Sequence, residues 1–389
     1  MSLLLGLDIG TTAVKAGIFD SAGAQLAVEG QEYRLDHPTP DRAEIDAEVY
    51  WTATSGAIRR ALVASGSDPA AVVAMAVSSQ GETVVAVDGH GRPLGPAIVW
   101  LDNRALGLRP GVAVVAGGMD QGAGAIGVGN IDRGIISEST GGALTLQASV
   151  THHGGDPTGQ TPVYVHSAPG RYLYCPVCPT GGLALTWFRD ELGGEEVARA
   201  AREGSNAYDL LTALAAGVEP GAEGLTMLPH LMGAFSPEYE PEARGAFYGF
   251  TLHHGKPHFV RAVLEAVAFM LRRNLELLAA AGAPAAEIRS HGGGSRSALW
   301  NQIKADACGL PVVTLEGDSA AVRGDAMLAG VAAGAFPDLA TACAAMVRTQ
   351  ARYEPAVATR AAYDDAYGRY LRLFDALRPI FRSDAPAPG

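Results

Sequence analysis

The sequence predicts an α/β chain built in two halves, each with a largely parallel sheet. Short apolar runs such as LLLGLDIG, VVAMAVSSQ, EIRSHGG and PVVTL alternate with longer segments of helical spacing. One pattern occurs twice: LDIGTTAVKAGIFD near the start and GIISESTGGALTLQASV from Gly134 both read strand, hydroxyl-and-Gly turn, strand. The composition is globular, with 389 residues, 48% hydrophobic and 18% charged. The second occurrence sets the expected domain boundary, giving residues 1–130 and 131–389.

The elements follow in order. LLLGLDIG, AVKAGIFD and AQLAVEGQEYRL read as three antiparallel strands joined by tight turns. Asp46 is placed to cap a helix in which Val49, Ala53, Ala57, Ile58, Ala61 and Leu62 recur at helical spacing, with Gly66 closing it. VVAMAVSSQ, TVVAVDG, PAIVW and VAVVAGG each read as a strand, and QGAGAIGVG starts a small-residue helix. The second half continues with a helix over 181–193, a loop rich in Pro and Gly, and a long helix from His258 to Ala281. EIRSHGG, a helix over 296–308, PVVTL and further Ala-rich helices complete it.

Bulk properties remove several function classes. The net charge is −12 and no basic cluster stands out, so the footprint of a nucleic-acid binder is absent. No apolar run reaches membrane-spanning length, and MSLLLGLDIG lacks the basic flank of a secretory signal. Four cysteines in so long a chain do not make a disulfide framework. The CPVC at 175–178 lacks two further ligands at zinc-site spacing, so ordinary thiols in a reducing cytoplasm are expected.

Five constellations carry chemistry. In DIGTTAVK, Asp8 ends a strand, Gly10, Thr11 and Thr12 make the turn, and Lys15 returns on the next strand. A carboxylate, a hydroxyl-rich turn and a cation suit a magnesium polyphosphate; the plain alternative is a hairpin with a polar turn. STGGALT repeats such a turn with Thr140, Gly141 and Gly142. SHGGGSRSALWNQI is a strand, three glycines and a helix start, which lets backbone lie flat against a planar group or simply turn tightly. It is not a Walker loop, since no GKS or GKT follows. In GGMDQ, Asp120 follows two glycines at the carboxyl end of a strand, where it could take a proton from an attacking hydroxyl or merely cap a helix. Around SSQGET and AIVWLDNRA, Gln80, Glu82, Trp100, Asp102 and Arg104 could bind a polyol or sit solvated at strand ends.

Taken in order, DIGTT–K, SQGET, WLDNRA, GGMDQ, STGG, HGGGSRSALWNQIKAD and GDSAAVRGDAMLAG resemble the FGGY carbohydrate kinases, as does PEARGAFYGFTL with the helix after it. The resemblance covers nearly the whole chain. It implies two ribonuclease-H-like domains of the actin-like ATPase type with a cleft between them, closing on ATP and a sugar or polyol. It implies Asp120 as general base and Asp8 holding Mg²⁺ mostly through water. Thr11, Thr12 and Lys15 would face the β- and γ-phosphates, and Thr140 and Gly141 would form the second phosphate turn. Gly182 and Thr186 would line the nucleotide cleft, and Gly292, Gly293, Gly294 and Ser297 the adenosine site. Gln80, Gly81, Glu82, Trp100, Asp102 and Gln121 would meet the substrate.

The chain departs from the family pattern in three places. It reads Gly81-Glu82 where xylulokinases carry Met-His and glycerol kinases Arg-Glu, so neither substrate is secured. Ser139 stands where the family often has Gly. Over a hundred residues normally separate the WLDNRA-like and GGMD-like motifs; here the N-terminal domain is shortened between residues 104 and 112. If PAIVW and VAVVAGG lay parallel in one sheet, the link would be shorter than the dozen residues a crossover needs. An apolar face would then stay exposed or be buried against a second copy in a homodimer. Two functions follow: ATP-dependent phosphorylation of a ketose such as xylulose or a related polyol, or a nucleotide-binding relative with impaired catalysis.

Overall fold

The structure is a computed structural model. It describes residues 2–38, 43–81, 83–99, 118–156, 158–317, 319–332 and 334–383. Glu82, Trp100, Asp102 and the shortened stretch at 104–112 lie outside the described residues.

Apolar side chains at alternate and consecutive positions drive the opening hairpins. Leu3–Ile9 (β1) pairs antiparallel with Ala13–Asp20 (β2), which pairs antiparallel with Gln25–Glu32 (β3). After the short strand Glu44–Ile45 (β4) comes helix Ala47–Ser65 (α1). Its cap is as expected: Asp46 accepts from Glu48 N, and Gly66 closes the helix at φ 61°. Ala53, Ala57 and Ala61 are buried on one face, among Leu5, Val14 and Ile18 of the sheet. Val72–Ser79 (β5) runs parallel to β1. Ala97–Ile98 (β6), Gly118–Met119 (β7) and helix Asp120–Gly127 (α2) follow.

The second hairpin motif gives Ile135–Thr140 (β8) and Leu144–Val150 (β9). Three short strands not foreseen from the sequence, Val163–Val165 (β10), Tyr172–Tyr174 (β11) and Val177–Cys178 (β12), extend that edge. Helices Leu183–Leu192 (α3), Gly194–Glu203 (α4) and Ala207–Ala215 (α5) come next, then the pair Thr226–Leu228 (β13) and Ala246–Tyr248 (β14). The long helix is Lys256–Ala280 (α6), buried along most of its length. Glu287–His291 (β15), helix Ala298–Cys308 (α7) and Val312–Leu315 (β16) follow. Ala320–Ala332 (α8), Leu339–Met346 (α9), Thr349–Tyr353 (β17) and Arg360–Ser383 (α10) complete the order.

The two occurrences of the hairpin motif hold the same place in two sheets. One sheet runs β3-β2-β1-β5-β7, with β1, β5 and β7 parallel; the other runs β10-β11-β9-β8-β15-β16-β17, with β8, β15 and β16 parallel. In each, an antiparallel hairpin is extended by parallel strands; helix α1 lies between β1 and β5, and α7 between β15 and β16, the expected α/β arrangement.

The compact units differ from the expected single cut at 130/131. The first comprises residues 1–131, 165–170 and 319–348; the second 132–164, 171–318 and 349–389. The reason is α8. A Cβ on Gly324 would stand 1.9 Å from Ala123 O, and one on Gly127 1.8 Å from Ala320 O, so α8 and α2 meet backbone to backbone. A Cβ on Gly6 of β1 would stand 2.1 Å from Val322 O. This stripe of small residues ties α8 to the first unit, where Val322, Ala326 and Met327 share a core with Leu4, Phe19 and Ile126.

Two predicted strands change character. TVVAVDG forms only the isolated bridges Val84↔Ile98 and Val87↔Pro93. Of PAIVW only Ala97–Ile98 is strand, and it pairs antiparallel with Glu44–Ile45, away from the main sheet. Of VAVVAGG only Gly118 is described; with Met119 it lies parallel to β5. PAIVW and β7 therefore sit in different sheets, and no short parallel crossover has to join them. On β5, Val73 and Met75 are half exposed, at 52% and 54%.

Candidate active site

In the first unit, three carboxylates come from three elements. Asp8 lies near the end of β1, in register with Lys15 on β2 and Ser78 on β5. Ser78 Oγ donates to Asp8 Oδ1 at 3.3 Å and to Leu7 O at 3.2 Å. Asp120 is the first residue of α2, after the N-cap Met119, and its Oδ1 accepts from Gln121 N at 2.7 Å. Asp325, on α8, is fully buried, and neither of its oxygens has a hydrogen bond of normal geometry.

The proximity of like charges shows in the acidities. Burial pushes the Asp120 carboxyl up to about 6, the Asp8 charge adds to the rise, and the Gln121 N–H opposes it. Asp325 is pushed up to about 8, again first by burial, with Asp8 and Asp120 contributing and Ser78 opposing. Asp8 is raised by burial, against the pull of Lys15 and Ser78. Sequence reasoning missed Asp325: GDAMLAG reads as a plain helix, and only the packing of α8 turns its carboxylate toward the other two.

The turn after β1 is braced from outside. Gly10 N donates to Ala13 O, Tyr33 N donates to Thr12 O, and the Tyr33 hydroxyl donates to Gly10 O. Tyr33 packs edge-on against Tyr50, whose hydroxyl accepts from Gln80 Nε2 at 2.8 Å. Gln80 is buried, and its Oε1 has no hydrogen-bond partner. Gly81 lies 3.8 Å, measured from an added Cβ, from Met119 Cγ, which brings the SQGET and GGMDQ corners together. Thr12 and Lys15 are exposed; Thr11 and Gln121 are half-buried.

The second unit holds a cavity of about 540 Å³. Thr140, Gly141, Gly182, Thr186, Gly293, Gly294 and Ser297, all expected at the nucleotide, line it; Gly292 adjoins them in sequence. The elements interlock closely. Gly181 N and Gly182 N donate to Gly142 O and Gly141 O, both at 2.8 Å, so α3 begins against the turn of β8 and β9. A Cβ on Gly294 would lie 2.7 Å from Thr140 Cβ. Ser297 caps α7 by accepting from Trp300 N. Tyr208, unforeseen from the sequence, bonds Thr186 Oγ1 at 2.9 Å and accepts from Arg189 Nη1 at 2.7 Å. Asn206, Asp209 and Trp300 complete the wall.

One expectation changes in detail. The Thr140 hydroxyl is turned inward, donating to Glu138 Oε1 and accepting from Lys304 Nζ at 2.9 Å. The turn can thus offer a phosphate its backbone, but not this hydroxyl.

Asp8, Asp120 and Asp325 feel one another's charge and offer carboxylate oxygens, the donor type Mg²⁺ takes, but their oxygens do not all come within 4.8 Å of one another as one ligand group. A different group of metal-capable side chains, Glu223, His253 and His258, brings its donor atoms within 4.8 Å of one another in the second unit. There His258 Nδ1 accepts from Gly255 N at 3.1 Å, which puts the neutral ring's proton on Nε2, while His253 Nε2 is bonded to Glu223 Oε2 at 2.6 Å. That group caps the start of α6 rather than offering free ligands.

Comparison with known proteins decides the family. The model of the FGGY carbohydrate kinase N-terminal domain matches residues 3–107, and that of the C-terminal domain residues 153–333. The chain belongs to the FGGY family of carbohydrate kinases. The gluconokinase of Bacillus subtilis (strain 168) is 32% identical over 251 residues, 64% of this chain and 48% of that protein. The glycerol kinase of Trichlorobacter lovleyi is 27% identical over 467 positions, covering 87% of this chain and 91% of the relative. That pairing is longer than the 389 residues of this chain, so the relative carries residues with no counterpart here. The chain spans about half the length of the first curated relatives it matches. The crystal structure of xylulose kinase from Rhodospirillum rubrum shares the fold, with a TM-score of 0.83 at 23% identity over 98% of this chain and 100% of that one. The α/β fold is thus shared with solved xylulose kinases, as the sequence resemblance implied. Among the described residues, no helix is long and apolar enough to cross a membrane.

Proposed function

We propose that the chain transfers the γ-phosphoryl group of ATP to a hydroxyl of a sugar, sugar acid or polyol, with Asp120 as general base. One observation carries the reading. Asp120 is held at the start of α2 beside Asp8, with its carboxyl raised to about 6, so that it is mostly ionised at neutral pH yet basic enough to take a hydroxyl proton. Asp8, Asp325 and Ser78 form the polar floor around it. The buried, unpartnered Gln80 Oε1 is suited to accept from a substrate hydroxyl. Gly81 and Gln121 flank this corner, and Glu82, Trp100 and Asp102 belong to the same assignment.

The cavity of the second unit is assigned to the nucleotide. Its glycines let backbone approach a planar base and a phosphate chain, while Trp300, Leu185 and Tyr208 supply apolar area. Thr11, Thr12 and Lys15 on the first unit are assigned to the β- and γ-phosphates. Asp8, with Asp325 nearby, would hold Mg²⁺ through water, and the bound ion would neutralise phosphate charge.

The relatives are named for gluconate, xylulose and glycerol, so the panel for a test is D-gluconate, D-xylulose and glycerol. A second reading, a nucleotide-binding relative with impaired catalysis, is favoured by one observation: the chain spans about half the length of those first relatives. Coupled ADP release separates the two. Release that rises with one member of the panel supports the kinase; ATP binding with no sugar-dependent release supports the impaired relative.

A further inference from the structure

A charged pair closed off from solvent lies beneath the turn between β8 and β9. Glu138 on β8 and Lys304 on α7 are both 0% exposed, and Lys304 Nζ reaches each carboxylate oxygen at 3.0 Å. The network closes on the turn. Thr140 Oγ1 donates to Glu138 Oε1 and accepts from Lys304 Nζ; Ser290 Oγ on β15 donates to Glu138 Oε2 and accepts from the same ammonium at 3.4 Å. Above it, Gly294 packs so closely on Thr140 that a Cβ there would lie 2.7 Å from Thr140 Cβ.

Stability alone does not account for this pair. Burying two ions costs several kcal/mol in desolvation, and a well-packed apolar pair of similar volume often serves a fold equally well or better. What the pair does locally is specific. A hydroxyl has one proton to donate, and Thr140 gives it to Glu138. Lys304 fills the acceptor side of the same oxygen. The Thr140 side chain is thereby fixed inward, and with it the direction in which residues 140–142 present their backbone to the cavity they line.

We propose that Glu138 and Lys304 are positioning residues for phosphoryl transfer. By locking the Thr140 hydroxyl inward, the pair sets the Thr140–Gly142 turn so that its backbone, not its side chain, receives the nucleotide phosphates. This rests on the kinase reading. The test compares two probes, ATP and adenosine, in calorimetric titrations of the full 389-residue chain. Replacing the pair by apolar residues in Glu138→Leu/Lys304→Met should leave the melting temperature at or above that of the wild type. ATP affinity should fall at least tenfold, with adenosine affinity unchanged within twofold. Thr140→Val, which keeps the shape and removes the hydroxyl, should show the same split, and Thr140→Ser should restore ATP binding to within twofold. ATP affinity unchanged in the double variant overturns the inference, as does an equal loss for ATP and adenosine. If the double variant does not fold, Thr140→Val decides by the same criterion. A wild-type chain that binds no ATP overturns the kinase reading itself, and the inference with it.

Discussion

Replacing Asp325 by Asn should stabilise the metal-free protein at pH 8 and leave its stability nearly unchanged near pH 4. Asp325 is fully buried, both its oxygens lack hydrogen bonds of normal geometry, and its carboxyl is raised from 3.8 to about 8, chiefly by burial. Near pH 4 the folded group is protonated and the unfolded one only about half ionised, so it contributes little to the difference between the two proteins. As the pH rises toward 8, the unfolded chain releases the proton while the folded chain retains it, and the wild type loses stability that the amide keeps. A tenfold difference in acidity between the folded and unfolded chain corresponds to about 1.4 kcal/mol, which sets a ceiling of about 6 kcal/mol for this carboxyl. Asp8 and Asp120 share the titration, and the amide still lacks a partner, so about half of that ceiling is expected. For a unit of this size, about 3 kcal/mol corresponds to a rise of roughly 6–10 °C in melting temperature. Thermal melts of both proteins in EDTA from pH 4 to 8 measure it. A pH-independent difference, or a variant that melts lower at pH 8, would refute the reasoning.

Three further outcomes are expected. The pH profile of kcat/KM for the preferred acceptor should fall tenfold per pH unit below about pH 6, where Asp120 takes up a proton; a profile flat down to pH 5 would remove Asp120 as the base. Gly324→Ala puts a methyl 1.9 Å from Ala123 O and should destabilise the first unit by about 1–3 kcal/mol or more in a denaturant melt. Gly141→Ala meets nothing within 4 Å and should melt like the wild type.

Local periodicity and turn chemistry made much of the fold legible. The hairpins at 3–20 and 135–150 and the capped helix after Asp46 follow from signals within a dozen residues, and so does the long helix α6. The motif positions Asp8, Asp120, Thr140 and Gly293 were readable for the same reason: each stands at a strand end or a glycine turn. What failed depended on distant partners. TVVAVDG has the alternation of a strand but finds only the isolated bridges Val84↔Ile98 and Val87↔Pro93. The return of 319–348 to the first unit rests on glycine contacts between α2 and α8, which no local pattern announces. Asp325, Glu138 and Lys304 were not singled out from the sequence. Their burial is a property of the packed sheets and helices, and so is the inward turn of the Thr140 hydroxyl that looked from the sequence like a phosphate ligand.

The most direct measurement is ADP release by wild type and Asp120→Asn with saturating ATP, Mg²⁺ and the best acceptor among D-gluconate, D-xylulose and glycerol. The account predicts acceptor-dependent release that drops about 10²- to 10⁴-fold in the variant, while its ATP dissociation constant stays within about twofold of the wild type's, since the side chain assigned to the proton is not one assigned to the nucleotide. Acceptor-dependent release that persists in Asp120→Asn would contradict it.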